Sequence, residues 1–166
     1  MSGSRWTALL AACLWVAAAG CEDAPSIAPP EILLGQDVCD VCGMIITDDR
    51  YAAGLVIDRD GEYETRSFDD IGCLLMFADE HADVAVAARY VRDFRSRSWR
   101  DAETAAYLHS GHLHTPMAFG LAALATEADA HTLAGEFPGD VIGFPAVRDR
   151  FARDELIIIP KQDPDA

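Results

Sequence analysis

The sequence predicts an α+β fold built from two similar β-β-α-β units, and three observations carry that expectation. Paired strand-like runs are separated by turn residues, each pair is followed by a segment with helical apolar spacing, and the order occurs twice between residues 37 and 160. At 166 residues, 51% of them apolar, the chain is long enough to bury a packed core of that size.

The first unit occupies residues 37–98. Residues 51–57 (YAAGLVI) read as an apolar strand, 58–61 (DRDG) as a turn and 62–68 (EYETRSF) as an alternating strand. Residues 69–81 (DDIGCLLMFADEH) place Ile71, Leu74, Leu75 and Ala78 on one helical face, with acids in the first turn, where the helix dipole favours them. Residues 86–94 (VAARYVRDF) close the unit as a strand.

The second unit, residues 99–160, repeats the order. Strands are expected at 104–109 (TAAYLH) and 117–125 (MAFGLAALA), and a helix at 126–137 opening on Thr126 as N-cap. A short strand at 140–144 and a last helix at 146–156 follow, and residues 161–166 read as a disordered tail.

Ahead of both units stands a different kind of segment. Residues 1–20 carry one positive charge at Arg5, an apolar run and small residues before Cys21, the layout of a secretory signal peptide. The apolar run of about twelve residues is too short to cross a bilayer. The ending Ala18-Ala19-Gly20-Cys21 resembles a bacterial lipoprotein signal, which makes Cys21 the acylated first residue of the mature chain. Residues 21–36, acidic and rich in proline, read as a flexible tether. The expected location is therefore extracytoplasmic, lipid-anchored to a bacterial membrane.

Loss of residues 1–20 removes Arg5 alone among the charges, leaving 12 basic against 28 acidic residues, a formal charge of −16. That balance argues against nucleic-acid binding and against a polybasic membrane contact, and it favours a cationic partner.

With Cys13 in the signal and Cys21 lipidated, Cys39, Cys42 and Cys73 remain, an odd number for a protein outside the cytoplasm. The odd count weakens a purely structural disulfide account, while leaving room for a Cys39–Cys42 bridge with Cys73 buried as a small hydrophobe. Cys39 and Cys42 stand in the run CDVCGMII. C-x-x-C with two of His109, His112 and His114 is a zinc inventory. Thioether is a poor zinc ligand, whereas thiolate with thioether selects Cu(I), and Gly43 allows a tight turn between Cys42 and Met44. A second sulfur-bearing loop, LHSGHLHTPM, ends in Met117, and if the units are equivalent the two loops face one another. Dithiol redox catalysis wants a helix directly after the motif to stabilise a thiolate, and GMIIT reads instead as turn then strand. The plainer readings are that Met44, Met76 and Met117 are core, and that His81, His131 and the loop histidines are solvent-exposed.

Taken jointly, CxxCGMII, SFDDIGCLLMF, WRDA with AYL, and TPMAFGLAAL, in that order over residues 37–144, resemble the NosL family of copper chaperones that serve nitrous oxide reductase. The resemblance implies no enzymatic activity. It implies a membrane-tethered protein that binds one Cu(I) and hands it to a copper-accepting protein, nitrous oxide reductase or its membrane assembly complex. It implies a fold similar to the metal-site part of organomercurial lyase. Cys42 and Met44 match the Cys and Met of the family motif, Met117 matches the methionine of its later Pro-Met segment, and Cys39 matches the first cysteine of CxxC. His112 and His114 are added as donors from their position ahead of Met117. Ala118 departs from the family pattern, and Cys73 has no assignment in it. A structural zinc module and an extracytoplasmic thiol oxidoreductase stand as the alternatives.

Overall fold

The structure, a computed structural model, describes residues 27–156. The signal segment, Cys21, the first part of the tether and the tail at 161–166 lie outside the described residues.

The chain folds into two antiparallel sheets with helices between and after their strands. β1 (Ala53–Arg59), β2 (Glu62–Phe68), α1 (Ile71–Glu80), β3 (Val86–Arg92) and β4 (Trp99–Asp101) make the first group. β5 (Ala106–His109), β6 (Leu121–Leu124), α2 (Glu127–Ala134), β7 (Asp140–Gly143) and α3 (Phe144–Ala152) make the second. Sheet orders are β2-β1-β3-β4 and β6-β5-β7. In each, the first strand is central, flanked by its hairpin partner and by the strand that follows the helix, so the β-β-α-β order occurs twice.

Local sequence explains these elements. β1 is central and its first five residues are buried, in keeping with an unbroken apolar run, while the outer strand β2 is exposed or half-buried up to the buried Phe68. Asp60 and Gly61 take φ of 58° and 92°, and the Gly61 N–H donates to Asp58 Oδ1 at 2.7 Å, closing the hairpin. Asp70 caps α1 by accepting the Gly72 N–H at 2.8 Å, and Thr126 caps α2 through the Asp129 N–H at 3.1 Å.

Several boundaries differ from expectation. The strand expected over 117–125 is confined to Leu121–Leu124, because Ala118 and Gly120 adopt left-handed φ of 59° and 61° and form a turn. α3 starts two residues early, at Phe144, since Pro145 suits a first helical turn. α2 ends at Ala134, before Gly135. GMIIT does not run on as a strand; Val38 and Ile45 form an isolated bridge. β4 is an additional three-residue edge strand.

The larger of two core clusters spans both halves, and the smaller gathers around Leu108, Leu124 and Leu133. Leu55, Phe68, Ile71 and Leu74 pack in a single cluster with Tyr107, Phe119, Leu121 and Phe144. The sheets meet where Asp93 bridges Ala123: the Phe94 N–H donates to the Ala123 carbonyl at 2.8 Å, and the Ala125 N–H to Asp93 Oδ2 at 2.7 Å. α1 lies so close to the second half that a Cβ on Gly72 would sit 2.0 Å from Phe119 Cδ2.

Candidate metal centre

The CxxCGM segment is a tight loop. Cys39 N–H donates to the Met44 carbonyl at 2.8 Å and Gly43 N–H to the Cys39 carbonyl at 2.9 Å, with Gly43 at φ +70°, where an L side chain is strained. Asp40 fastens the loop to the end of β2: its N–H donates to the Ser67 carbonyl at 2.9 Å and its carboxylate accepts the Ser67 N–H at 2.7 Å. Cys39 and Cys42 are thereby set against the start of α1.

There they meet two residues from the helix entry. The sulfurs of Cys39, Cys42 and Cys73 and a carboxylate oxygen of Asp69 all lie within 4.8 Å of one another. The Cys42 thiol approaches Asp69 Oδ1 at 3.5 Å, and the Cys73 thiol approaches the same oxygen at 3.4 Å. Cys39, Cys73 and Asp69 are at most 2% exposed, while Cys42 is half-buried. All three cysteines are free thiols, so the Cys39–Cys42 bridge allowed by the spacing is absent.

Four groups that each become anionic on ionising cannot all do so in so small a buried volume. A hydrogen bond from Cys73 holds Cys39 down to about 4, against the opposing effect of burial. Burial pushes Cys42 up to about 11. The hydrogen bond with Cys39, followed by burial, drives Cys73 far above the ordinary thiol range. Burial, then the hydrogen bond with Cys39, lifts Asp69 to about 6. The cluster is thus short of positive charge, and a cation entering it displaces protons.

The second loop, residues 110–120, reaches the same helix start. Met117 N–H donates to Asp70 Oδ2 at 2.9 Å, and Gly120 N–H to Thr115 Oγ1 at 3.2 Å. The consecutive aspartates therefore divide the work: Asp69 receives Cys42 from the first loop, and Asp70 receives Met117 from the second. Between the loops opens a cleft of about 320 Å³, lined by Met44, Ile45 and Asp69 on one side and His114, Thr115 and Pro116 on the other.

Of the residues singled out by sequence, Cys39 and Cys42 enter the cluster, and Met44, 41% exposed, and His114 enter the cleft. The Met117 side chain is partly buried against the core. His112 is exposed and does not line the cleft. Leu33, Leu34, Val38 and Ile45 are exposed apolar residues on the same loop and the turn before it.

The model of the NosL family matches residues 30–152. The chain belongs to the NosL family. It is 31% identical over 151 residues to the copper-binding lipoprotein NosL of Stutzerimonas stutzeri, with 84% of this chain and 78% of that protein covered. The crystal structure of the copper chaperone NosL from Shewanella denitrificans superposes with a TM-score of 0.59 over 70% of this chain and 92% of that one, at 18% identity, which shows a shared fold.

Within this NosL-family chain, Cys73 and Asp69 are the members of the candidate cluster that spacing did not single out. Cys73 sits in the helical stripe Ile71-Leu74-Leu75 and reads as core. The signal that finds it is its place four residues after Asp69, which puts both on the side of the helix entry that faces the CxxC loop.

Proposed function

We propose that this protein is a lipid-anchored, extracytoplasmic chaperone that holds Cu(I) and passes it by ligand exchange to nitrous oxide reductase or to that enzyme's membrane assembly complex. The observation that carries this reading is the placement of a half-buried thiol, Cys42, two residues from an exposed thioether, Met44: Met44 lines a solvent-open cleft, and Cys42 reaches Asp69 in its wall at 3.5 Å. Thiolate with thioether is the donor pair that selects Cu(I). Family membership and the copper-binding relative point the same way.

The ligands at the mouth are Cys42 and Met44, with His114 on the facing wall and Met117 three residues beyond it as the second loop's donors, and with Cys39 behind. His112, exposed on the same loop and outside the cleft's lining, is a further donor in the set. Low coordination leaves a position that an acceptor's ligand enters before a chaperone ligand departs, so copper is never released free. The exposed Leu33, Leu34, Val38 and Ile45 give the acceptor an apolar surface beside that exit.

A structural zinc reading draws on one specific observation: three cysteines and Asp69 make a four-donor set suited to tetrahedral zinc. Transfer separates the two. The Cu(I)-loaded chain is mixed with copper-free nitrous oxide reductase in the presence of a chelator that captures free copper. Copper arriving in the reductase supports the chaperone reading; copper ending wholly in the chelator contradicts it.

A further inference from the structure

Cys73 has no part in a site made of Cys42 and Met44, yet its sulfur lies within 4.8 Å of the Cys42 sulfur. We infer that Cys39, Cys42 and Cys73 form an inner Cu(I) position behind the mouth, joined to the outer position of Cys42 and Met44 through their common ligand, Cys42. The inference rests on the reading that the cargo is Cu(I).

Geometry supports it first. A metal–sulfur bond is about 2.3 Å, so two sulfurs on opposite sides of one ion lie at most about 4.6 Å apart. The three sulfurs here are already within 4.8 Å of one another. Thiols that merely fill core space have no reason to converge from two elements on one carboxylate. Here Cys42 comes from the loop and Cys73 from α1, and both donate to Asp69 Oδ1, at 3.5 and 3.4 Å.

Burial then distinguishes the two positions. Cys39 and Cys73 are 2% and 0% exposed and Met44 is 41% exposed, with the half-buried Cys42 between them. An ion bonded to Cys42 exchanges Met44 for the inner sulfurs without leaving the protein. On moving inward the bond to the Met44 thioether breaks and a bond to the Cys39 thiolate forms. Cys73 bonds to copper as its S–H proton passes to the Asp69 carboxylate oxygen 3.4 Å away. Copper stays Cu(I) throughout, and no electron moves. The reverse sequence presents the ion at the cleft. Retention belongs to the inner position and handover to the outer one.

The test uses the intact reduced chain with one equivalent of Cu(I), comparing wild type with Cys73→Ser, Cys73→Ala and Met44→Leu. Affinity comes from competition with a Cu(I) chelator, sulfur coordination from X-ray absorption, and release rate from stopped-flow mixing with excess chelator. The inner position predicts three-sulfur coordination in the wild type. The Cys73 variants lose one sulfur and about tenfold or more in affinity, and release copper faster. Met44→Leu keeps three sulfurs and an affinity within about threefold of wild type, and releases copper more slowly. Cys73 variants that match wild type in affinity and sulfur count overturn the inference, as does Met44→Leu losing as much affinity as Cys42→Ser. If both Cys73 variants fail to fold, the double variant Met44→Leu, Met117→Leu decides: three sulfurs support the inner position, and two or fewer overturn it. Wild type that binds no Cu(I) overturns the chaperone reading as well, whereas wild-type binding with silent Cys73 variants overturns the inner position alone.

Discussion

The Cys42 thiol sits 3.5 and 3.6 Å from the two oxygens of Asp69, joining the CxxC loop to the residue that precedes the α1 cap. Burial keeps that thiol protonated to about 11, so copper that binds Cys42 at neutral pH expels its proton. Cu(I) affinity, corrected for the chelator's own titration, is therefore expected to rise about tenfold per pH unit from about pH 6 to about pH 8. Competition measurements at three pH values check the slope; a flat profile contradicts a protonated Cys42 ligand.

Asp69 makes an opposite prediction for the metal-free protein. Burial lifts its carboxyl from 3.8 to about 6, so the fold favours the neutral form. The stability contributed by neutral Asp69 is complete below about pH 4 and is lost as pH rises through about 6. Asparagine imitates the neutral acid. Relative to wild type, Asp69→Asn should gain on the order of 2 kcal/mol between about pH 4 and about pH 7, measured by denaturant unfolding of the reduced protein.

Gly72 is held at van der Waals distance from the Phe119 ring, and a Cβ there would lie 2.0 Å from Cδ2. Gly72→Ala should cost about 1–3 kcal/mol by overpacking, and it should loosen the loop that carries Met117. Gly43→Ala meets no atom within 4 Å but forces an L residue to φ +70°, so its cost of about 1 kcal/mol is conformational. Thermal and denaturant unfolding rank the two; equal, negligible effects would contradict both accounts.

Membrane attachment has its own test. Cys21→Ser should release the protein from the membrane fraction in a bacterial host, because a lipid on Cys21 is the expected anchor. Membrane retention of the variant would remove the anchor from the proposal.

The order of elements was legible because apolar runs and turn signals such as Asp58-Arg59-Asp60-Gly61 mark strands and hairpins strongly. The loops were less so. Ala118 and Gly120 take left-handed conformations inside what reads as a strand, and nothing in Ala118 itself announces that. β4 has three residues at a sheet edge, too few to set a period. At the candidate site, CxxCGM spacing pointed to the loop that enters the cysteine cluster, and Pro-Met to a loop that reaches the same helix start. Cys73 and Asp69 escaped because a cysteine in an apolar helical stripe looks like packing, and an aspartate before a helix looks like capping. Their convergence depends on where Asp40 pins the loop to Ser67, a tertiary contact 27 residues apart in sequence.

The central claim is that Cys42 anchors a site that prefers Cu(I). Anaerobic titration of the reduced chain with Cu(I) and with Zn(II), each against a competing chelator, tests it most directly when wild type and Cys42→Ser are measured side by side. Expected is tighter binding of Cu(I) than of Zn(II), with Cys42→Ser losing at least about tenfold in Cu(I) affinity, about 1.4 kcal/mol. Tighter binding of Zn(II), or a Cu(I) affinity unchanged in Cys42→Ser, would contradict it.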